Sequence, residues 1–212
     1  MYKNGIKRVL DICVSILALP ILGLVFILLA PIIYFTDKGP VFYNAPRLGK
    51  NGKIFKMYKF RSMYVNAPDL RNEDGSTYNS KNDPRVTPIG RFIRKTSLDE
   101  IPQLLNTLNG TMSIIGPRPD LPTALDKYDK RTKRKLEVRP GITGYNQAYF
   151  RNTVVWSEAL EHDVYYVDHC SFYMDVMILI KTIQTVALRK GINRNTDRRD
   201  VSDAKEVKNA DN

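Results

Sequence analysis

The 24 consecutive residues from Ile12 to Phe35 carry no charge, and this run limits what the chain can fold into more than any other feature. A helix rising about 1.5 Å per residue needs roughly 20 apolar residues to cover the hydrocarbon layer, so the run is a membrane-segment candidate. A basic start followed by an apolar core also fits a secretory signal, but the run is long and no small-residue cleavage site follows it. Pro20 removes a helix hydrogen bond inside the run, with Gly23 nearby and Pro31 further on. Lys3, Lys7 and Arg8 precede the run, and Lys38, Arg47, Lys50, Lys53 and Lys56 follow it. The positive-inside tendency would keep both ends cytoplasmic. The residues therefore predict a re-entrant helical hairpin broken near Pro20, with one kinked span as the alternative.

The 212 residues suffice for one domain with appendages. We expect the re-entrant helix over 1–38, a catalytic domain on the cytosolic face over 39–192 and a polar, disordered tail over 193–212. The formal charge of +11 points to anionic partners, without choosing among phosphates, nucleic acid and acidic headgroups. Cys13 and Cys170 lack metal-ligand spacing, and only two histidines are present, so zinc sites and serine triads have little material. Any catalysis must rest on carboxylates and basic groups.

Asn51-Gly52 sits between segments that alternate apolar and basic residues, a β-hairpin signal because this dipeptide accepts the positive φ of a tight turn. Lys59 and Arg61 share one face of its second strand. Ile89 to Lys95 has amphipathic helical spacing, with Arg91, Arg94 and Lys95 on the polar side. It delivers cations immediately before Ser97-Leu98-Asp99-Glu100.

Ser97-x-x-Glu100 has the form of a capping box. Pro102 fits better if the helix starts later, with Asp99 as cap. Either frame puts both carboxylates at a helix N-terminus, where the helix dipole and nearby arginines favour the ionised form. An ionised carboxylate there can attack phosphorus, bind magnesium beside substrate phosphates, or simply cap.

The helix after the pair should stop at Asn109-Gly110. Arg118, locked between Pro117 and Pro119, suits a phosphate clamp or a rigid surface turn. Leu121 to Val138 has helical spacing, Arg139 to Tyr145 is a glycine-rich loop, and Trp156 to Val167 reads as a helix with His162 at its surface. Phe172 to Leu188 is too polar to span and belongs in the core or the membrane interface. The expected class is α+β, mainly helical, with one β-hairpin and interfacial amphipathic helices around the re-entrant segment.

Taken together, Lys7-Arg8-x-x-Asp11, Gly39-Pro40-Val41-Phe42, Lys59-Phe60-Arg61-Ser62-Met63, Arg94 to Leu104, Gly116-Pro117-Arg118-Pro119, Arg139 to Gly144 and Asp163 to Val167 resemble the bacterial sugar transferases of the small monotopic phosphoglycosyl transferase family. The motifs follow the family's order over roughly residues 5 to 191. The resemblance implies transfer of a sugar 1-phosphate from a UDP-sugar to undecaprenyl phosphate with release of UMP. It places the reaction, with Mg²⁺, on the cytoplasmic leaflet of the bacterial inner membrane.

The resemblance also implies that Asp99 is the nucleophile and that Glu100 binds metal or handles a proton, with both carboxylates as the metal site. Lys59, Arg61, Arg94, Arg118, Gln147, Arg151, Asp163 and Tyr166 become its substrate contacts. Two departures stand out. Leu19-Pro20 replaces the family's Ser-Pro, and Gly144-Tyr145-Asn146-Gln147-Ala148-Tyr149-Phe150-Arg151 is bulkier than the usual loop. With no spanning domain before the core, the chain resembles the minimal form of the family.

Two other readings compete. A glycosyltransferase would release UDP, and a basic surface module would bind membrane or nucleic acid without catalysis. The uncharged run argues against a nucleic-acid partner.

Overall fold

The computed structural model describes residues 2–70, 78, 80, 83–151 and 153–187. The expected tail and the last residues assigned to the catalytic domain lie outside them. A π-helical turn, Tyr2–Ile6, leads into α1, Lys7–Asp37. There follow β1 Phe42–Leu48, β2 Ile54–Phe60, α2 Pro88–Lys95, α3 Gln103–Leu108, β3 Ser113–Ile115, β4 Gly141–Thr143, α4 Tyr145–Tyr149, α5 Trp156–His169 and α6 Phe172–Ala187. The fold is α+β and mainly helical.

Helix α1 stays helical through both Pro20 and Pro31 for 31 residues, so the break expected at Pro20 is not formed. What organises α1 is a stripe. Asp11, Ser15, Leu22, Leu29 and Ile33 are buried, and Ala18 and Val25 pack against the same core. Their spacing of three, four or seven residues keeps one helix face on the body. The stripe is tied at both ends. Arg8 donates to the carbonyls of Thr107 and Leu108, and Asp11 accepts from Ser113 Oγ at 2.8 Å and the Ile114 N–H at 3.0 Å. At the far end Asp37 pairs with Arg61 at 2.6 Å. The other faces stay apolar and open, Leu17 at 78 % and Phe35 at 75 % exposed, the kind of surface that marks a membrane or protein contact.

β1 and β2 pair antiparallel across Asn51 and Gly52, which take φ of 57° and 74°, the turn that Asn-Gly favours. Phe26 of α1 stacks on Phe42 and Phe60, centroids 5.6 and 6.4 Å away. Leu22, Leu29, Ile33, Phe60, Ile93 and Leu104 thus form a core shared by α1, the hairpin, α2 and α3.

The glycine-rich segment, expected to be only a loop, supplies β4, which pairs parallel with β3. A Cβ on Gly141 would lie 2.1 Å from the Gly116 nitrogen, so this approach demands glycine. Leu121 to Val138 is not the single helix its spacing suggested but two 3-10 stretches, Pro122–Lys127 and Thr132–Glu137. Between them Asp129 accepts from the Thr132 N–H and hydroxyl, both at 2.7 Å, a local bond that competes with helix continuation. α6 buries Asp175 and Ile178 and exposes Phe172, Tyr173, Ile180 and Ile183, as an interfacial helix does.

Candidate active site

Ser97 takes φ 59° and caps nothing with its side chain. The capping box is therefore absent. Leu98–Glu100 form a 3-10 turn, and α3 begins only after Pro102. A left-handed non-glycine residue is uncommon and strained, and here it turns the chain so that Asp99 points inward. Asp99 is 7 % exposed.

Lys59 reaches both carboxylates from β2, with Nζ 2.8 Å from Glu100 Oε1 and 3.6 Å from Asp99 Oδ2. Its strand is held by a residue the sequence reading did not single out. Asn106 of α3 accepts from the Tyr58 N–H and donates to the Lys56 carbonyl, both at 2.8 Å. One buried amide thereby completes the free edge of β2 and sets Lys59 opposite the pair.

Arg94 donates to Ser62 Oγ at 2.8 Å, and its charge acts on Asp99. It therefore turns inward from α2, which starts at Pro88 with Thr87 accepting from the Gly90 N–H. Arg118 Nη1 lies 4.0 Å from Glu100 Oε1 with its side chain 55 % exposed, and Arg151, at φ 52°, also acts on Glu100. Lys59, Arg94, Arg118 and Arg151 thus converge on the two carboxylates.

The two acids titrate apart. Burial pushes the Asp99 carboxyl above the usual range, against the pull of Lys59. Burial acts upward on Glu100 too, but Lys59 and Arg118 outweigh it and hold this carboxyl low. The downward pull expected of a helix dipole does not prevail at Asp99, because desolvation dominates where no α-helix begins.

The remaining residues lie elsewhere. Arg61 clasps the end of α1, donating to Asp37, Pro40, Met63 and Ile33. Gln147 has a buried amide without a hydrogen-bond partner among the described residues and lies against Gly144. Asp163 pairs with Lys135 at 2.7 Å, both side chains 3 % exposed, and its Oδ1 is buried without a hydrogen-bond partner among the described residues. Tyr166 is in the core, 1 % exposed, with its hydroxyl donating to Asp175 at 2.7 Å. His162 is more than a surface residue. It bonds Asn146 at 2.8 Å and stacks on Phe150, 4.1 Å between centroids, which fixes the loop leading to Arg151.

Residues 2–189 match the family model described as bacterial sugar transferase. The chain belongs to the bacterial sugar transferase family. This sugar transferase is 40 % identical over 196 residues to the exopolysaccharide production protein ExoY of Sinorhizobium fredii, covering 87 % of each chain. It is 42 % identical over 193 residues to the galactosyl transferase CpsE of Streptococcus agalactiae, covering 87 % of this chain and 43 % of that protein. It is also 41 % identical over 203 residues to the undecaprenyl-phosphate galactose phosphotransferase of Salmonella typhimurium, covering 88 % of this chain and 41 % of the relative. The sugar transferase therefore spans less than half the length of some curated relatives and most of the length of others.

Proposed function

We propose that this chain is a membrane phosphoglycosyl transferase that moves a sugar 1-phosphate from a UDP-sugar to undecaprenyl phosphate and releases UMP. The observation that carries this reading is the buried Asp99 beside an ionised Glu100, ringed by Lys59, Arg94, Arg118 and Arg151. Four cations around two carboxylates suit a diphosphate far better than a neutral acceptor.

Two carboxyls with pKa values pushed apart suit divided roles. Asp99 in its anionic form attacks the β-phosphorus of the UDP-sugar. The bond from that phosphorus to the bridging oxygen breaks, and UMP leaves with the electron pair, giving an aspartyl phosphosugar. An oxygen of the lipid phosphate then attacks the same phosphorus and restores the Asp99 carboxylate, so kinetics are ping-pong. Lys59 and Arg94 hold Asp99 and the phosphoryl oxygens together, and Arg118 and Arg151 take the outer phosphate.

Among the described residues no three His, Cys, Asp or Glu gather into a metal site. Two adjacent carboxylates, with the Glu100 side chain 24 % exposed, nonetheless fit Mg²⁺, which takes its other ligands from water and substrate phosphates. Asp99 and Glu100 would hold the ion, which would neutralise phosphate charge. The stripe that keeps α1 on the body from Arg8 to Asp37 supports a monotopic arrangement, with both ends of the helix on the cytoplasmic side and its open face in lipid.

The test supplies purified protein, Mg²⁺ and undecaprenyl phosphate with UDP-galactose or UDP-N-acetylgalactosamine, since relatives named for galactose and N-acetylgalactosamine transfer match this chain. UMP is the expected nucleotide product. UDP as product would make the protein an ordinary glycosyltransferase.

A further inference from the structure

Arg118 is the most exposed cation of the site, and the turn that carries it is anchored on both sides of Arg118. The Gly116 N–H donates to Thr143, the Gly141 N–H to the Pro117 carbonyl and the Leu48 N–H to the Asp120 carbonyl, each at 2.9 Å. Behind the turn sits Lys135, 4 % exposed. Its ammonium lies 2.6 Å from Asp120 Oδ2 and 2.7 Å from Asp163 Oδ2. Tyr128 adds its hydroxyl to the same Asp120 oxygen at 2.5 Å. Lys135 thus joins Asp120, two residues after Arg118 in the same turn, to Asp163 of α5.

Burying a lysine and two aspartates costs several kcal/mol per ion, and attraction within such a cluster seldom gives a net gain over apolar packing. Stability is therefore a poor explanation for it. An ammonium bridging two carboxylates does, however, fix their separation, and that separation sets where the Arg118 backbone stands. The prolines on either side stiffen the backbone from which the side chain projects.

We propose that Lys135 is a positioning residue for diphosphate binding: by joining Asp120 to Asp163 it holds the Pro117-Arg118-Pro119 turn so that the Arg118 guanidinium faces the nucleotide diphosphate beside Glu100. This rests on the diphosphate-binding reading of the site. Lys135 touches no substrate and acts only through Arg118. The same logic makes Tyr128 a weaker contributor through Asp120.

The test uses the full chain in detergent or nanodiscs and two readouts. Equilibrium UDP binding is measured for the unaltered protein, Lys135→Met, Arg118→Ala and the double variant. Lys135→Met should weaken UDP about tenfold, a loss of about 1.4 kcal/mol, and should add nothing further in the Arg118→Ala background. Independent losses that simply add, or unchanged affinity in folded Lys135→Met, would overturn the proposal.

The second readout needs no ligand. A nitroxide on Arg118→Cys, in a Cys13→Ser, Cys170→Ser background, should be immobile with Lys135 present and mobile in Lys135→Met; equal mobility would also overturn it. If Lys135→Met does not fold, Tyr128→Phe replaces it in both measurements, with smaller changes of the same sign expected and no change counting against the proposal. Failure of the unaltered protein to bind UDP would refute the reading of the site itself, while the spin-label result still decides the role of Lys135.

Discussion

Two lysines in this protein each bridge two carboxylates, and they do opposite things. Lys59 lies 2.8 Å from Glu100 and 3.6 Å from Asp99, with its side chain 19 % exposed. Lys135 lies 2.6 and 2.7 Å from Asp120 and Asp163, with its side chain 3 % exposed. The composition is the same, but one cluster is loose, uneven and rimmed by further cations, while the other is tight and closed. In the open cluster more cations than carboxylates converge, an arrangement that suits an anionic substrate. In the closed cluster one buried ammonium is shared between two carboxylates, and what it sets is a fixed distance between two segments of chain.

If that contrast is right, the largest effect belongs to the open cluster. Asp99→Asn keeps the size and loses the nucleophile, so turnover should fall by about 10³-fold or more with the thermal midpoint little changed. Steady-state assays beside a melting curve check both parts.

The next largest effect is a crossover between the lysines. Lys135→Met leaves two buried carboxylates without a cation and should cost about 3–5 kcal/mol of stability. Lys59→Met leaves Asp99 and Glu100 with Arg94 and Arg118 nearby, so its damage should fall on turnover. Parallel unfolding and activity measurements on the two variants would break the comparison if both losses fell on the same property.

A pH series sharpens it further. Burial, opposed by Lys135, pushes Asp163 up to about 6. Its folded pKa therefore lies above the unfolded value of about 3.9. The stabilisation this shift gives is fully present below about pH 4 and fades as pH rises through 6. Asp163→Asn has no such group, so the stability of wild type relative to this variant should decline between pH 4 and 6 and then level off. A flat difference would place Asp163 in a more solvated setting.

The smallest effect tests the turn that presents Asp99. Because Ser97 caps nothing and holds φ 59°, Ser97→Gly should leave activity within about twofold, whereas a β-branched residue there should be strained. A large loss in Ser97→Gly would restore the capping role.

These contrasts mark what the sequence disclosed. The Asn51-Gly52 hairpin and the stop at Asn109-Gly110 follow from local rules and appear as expected, and the apolar run is helical as expected but without its break at Pro20. Motif resemblance brought Lys59, Arg94, Arg118 and Arg151 to the same list, and the fold brings them to the carboxylates.

The failures were non-local. Ser97-x-x-Glu100 satisfies the capping pattern, but the partners that bury Asp99 come from β2 and α2, and they decide its conformation and its charge. Lys135 read as one of many cations on a charged helix, since nothing in its neighbourhood announces Asp120 and Asp163. The stripe on α1 was legible, as Asp11, Ser15, Ala18, Leu22, Val25, Leu29 and Ile33 share one helical face. Attention to Pro20 as a break concealed it, because tertiary contacts along the whole stripe keep the helix continuous.

The most direct measurement omits the lipid acceptor. Full-length protein incubated with Mg²⁺ and a UDP-sugar should release one UMP per chain in a single burst, and intact-mass and peptide analysis should find a phosphosugar on Asp99. Release of UDP, or a UMP burst from Asp99→Asn equal to that of the wild type, would contradict the account.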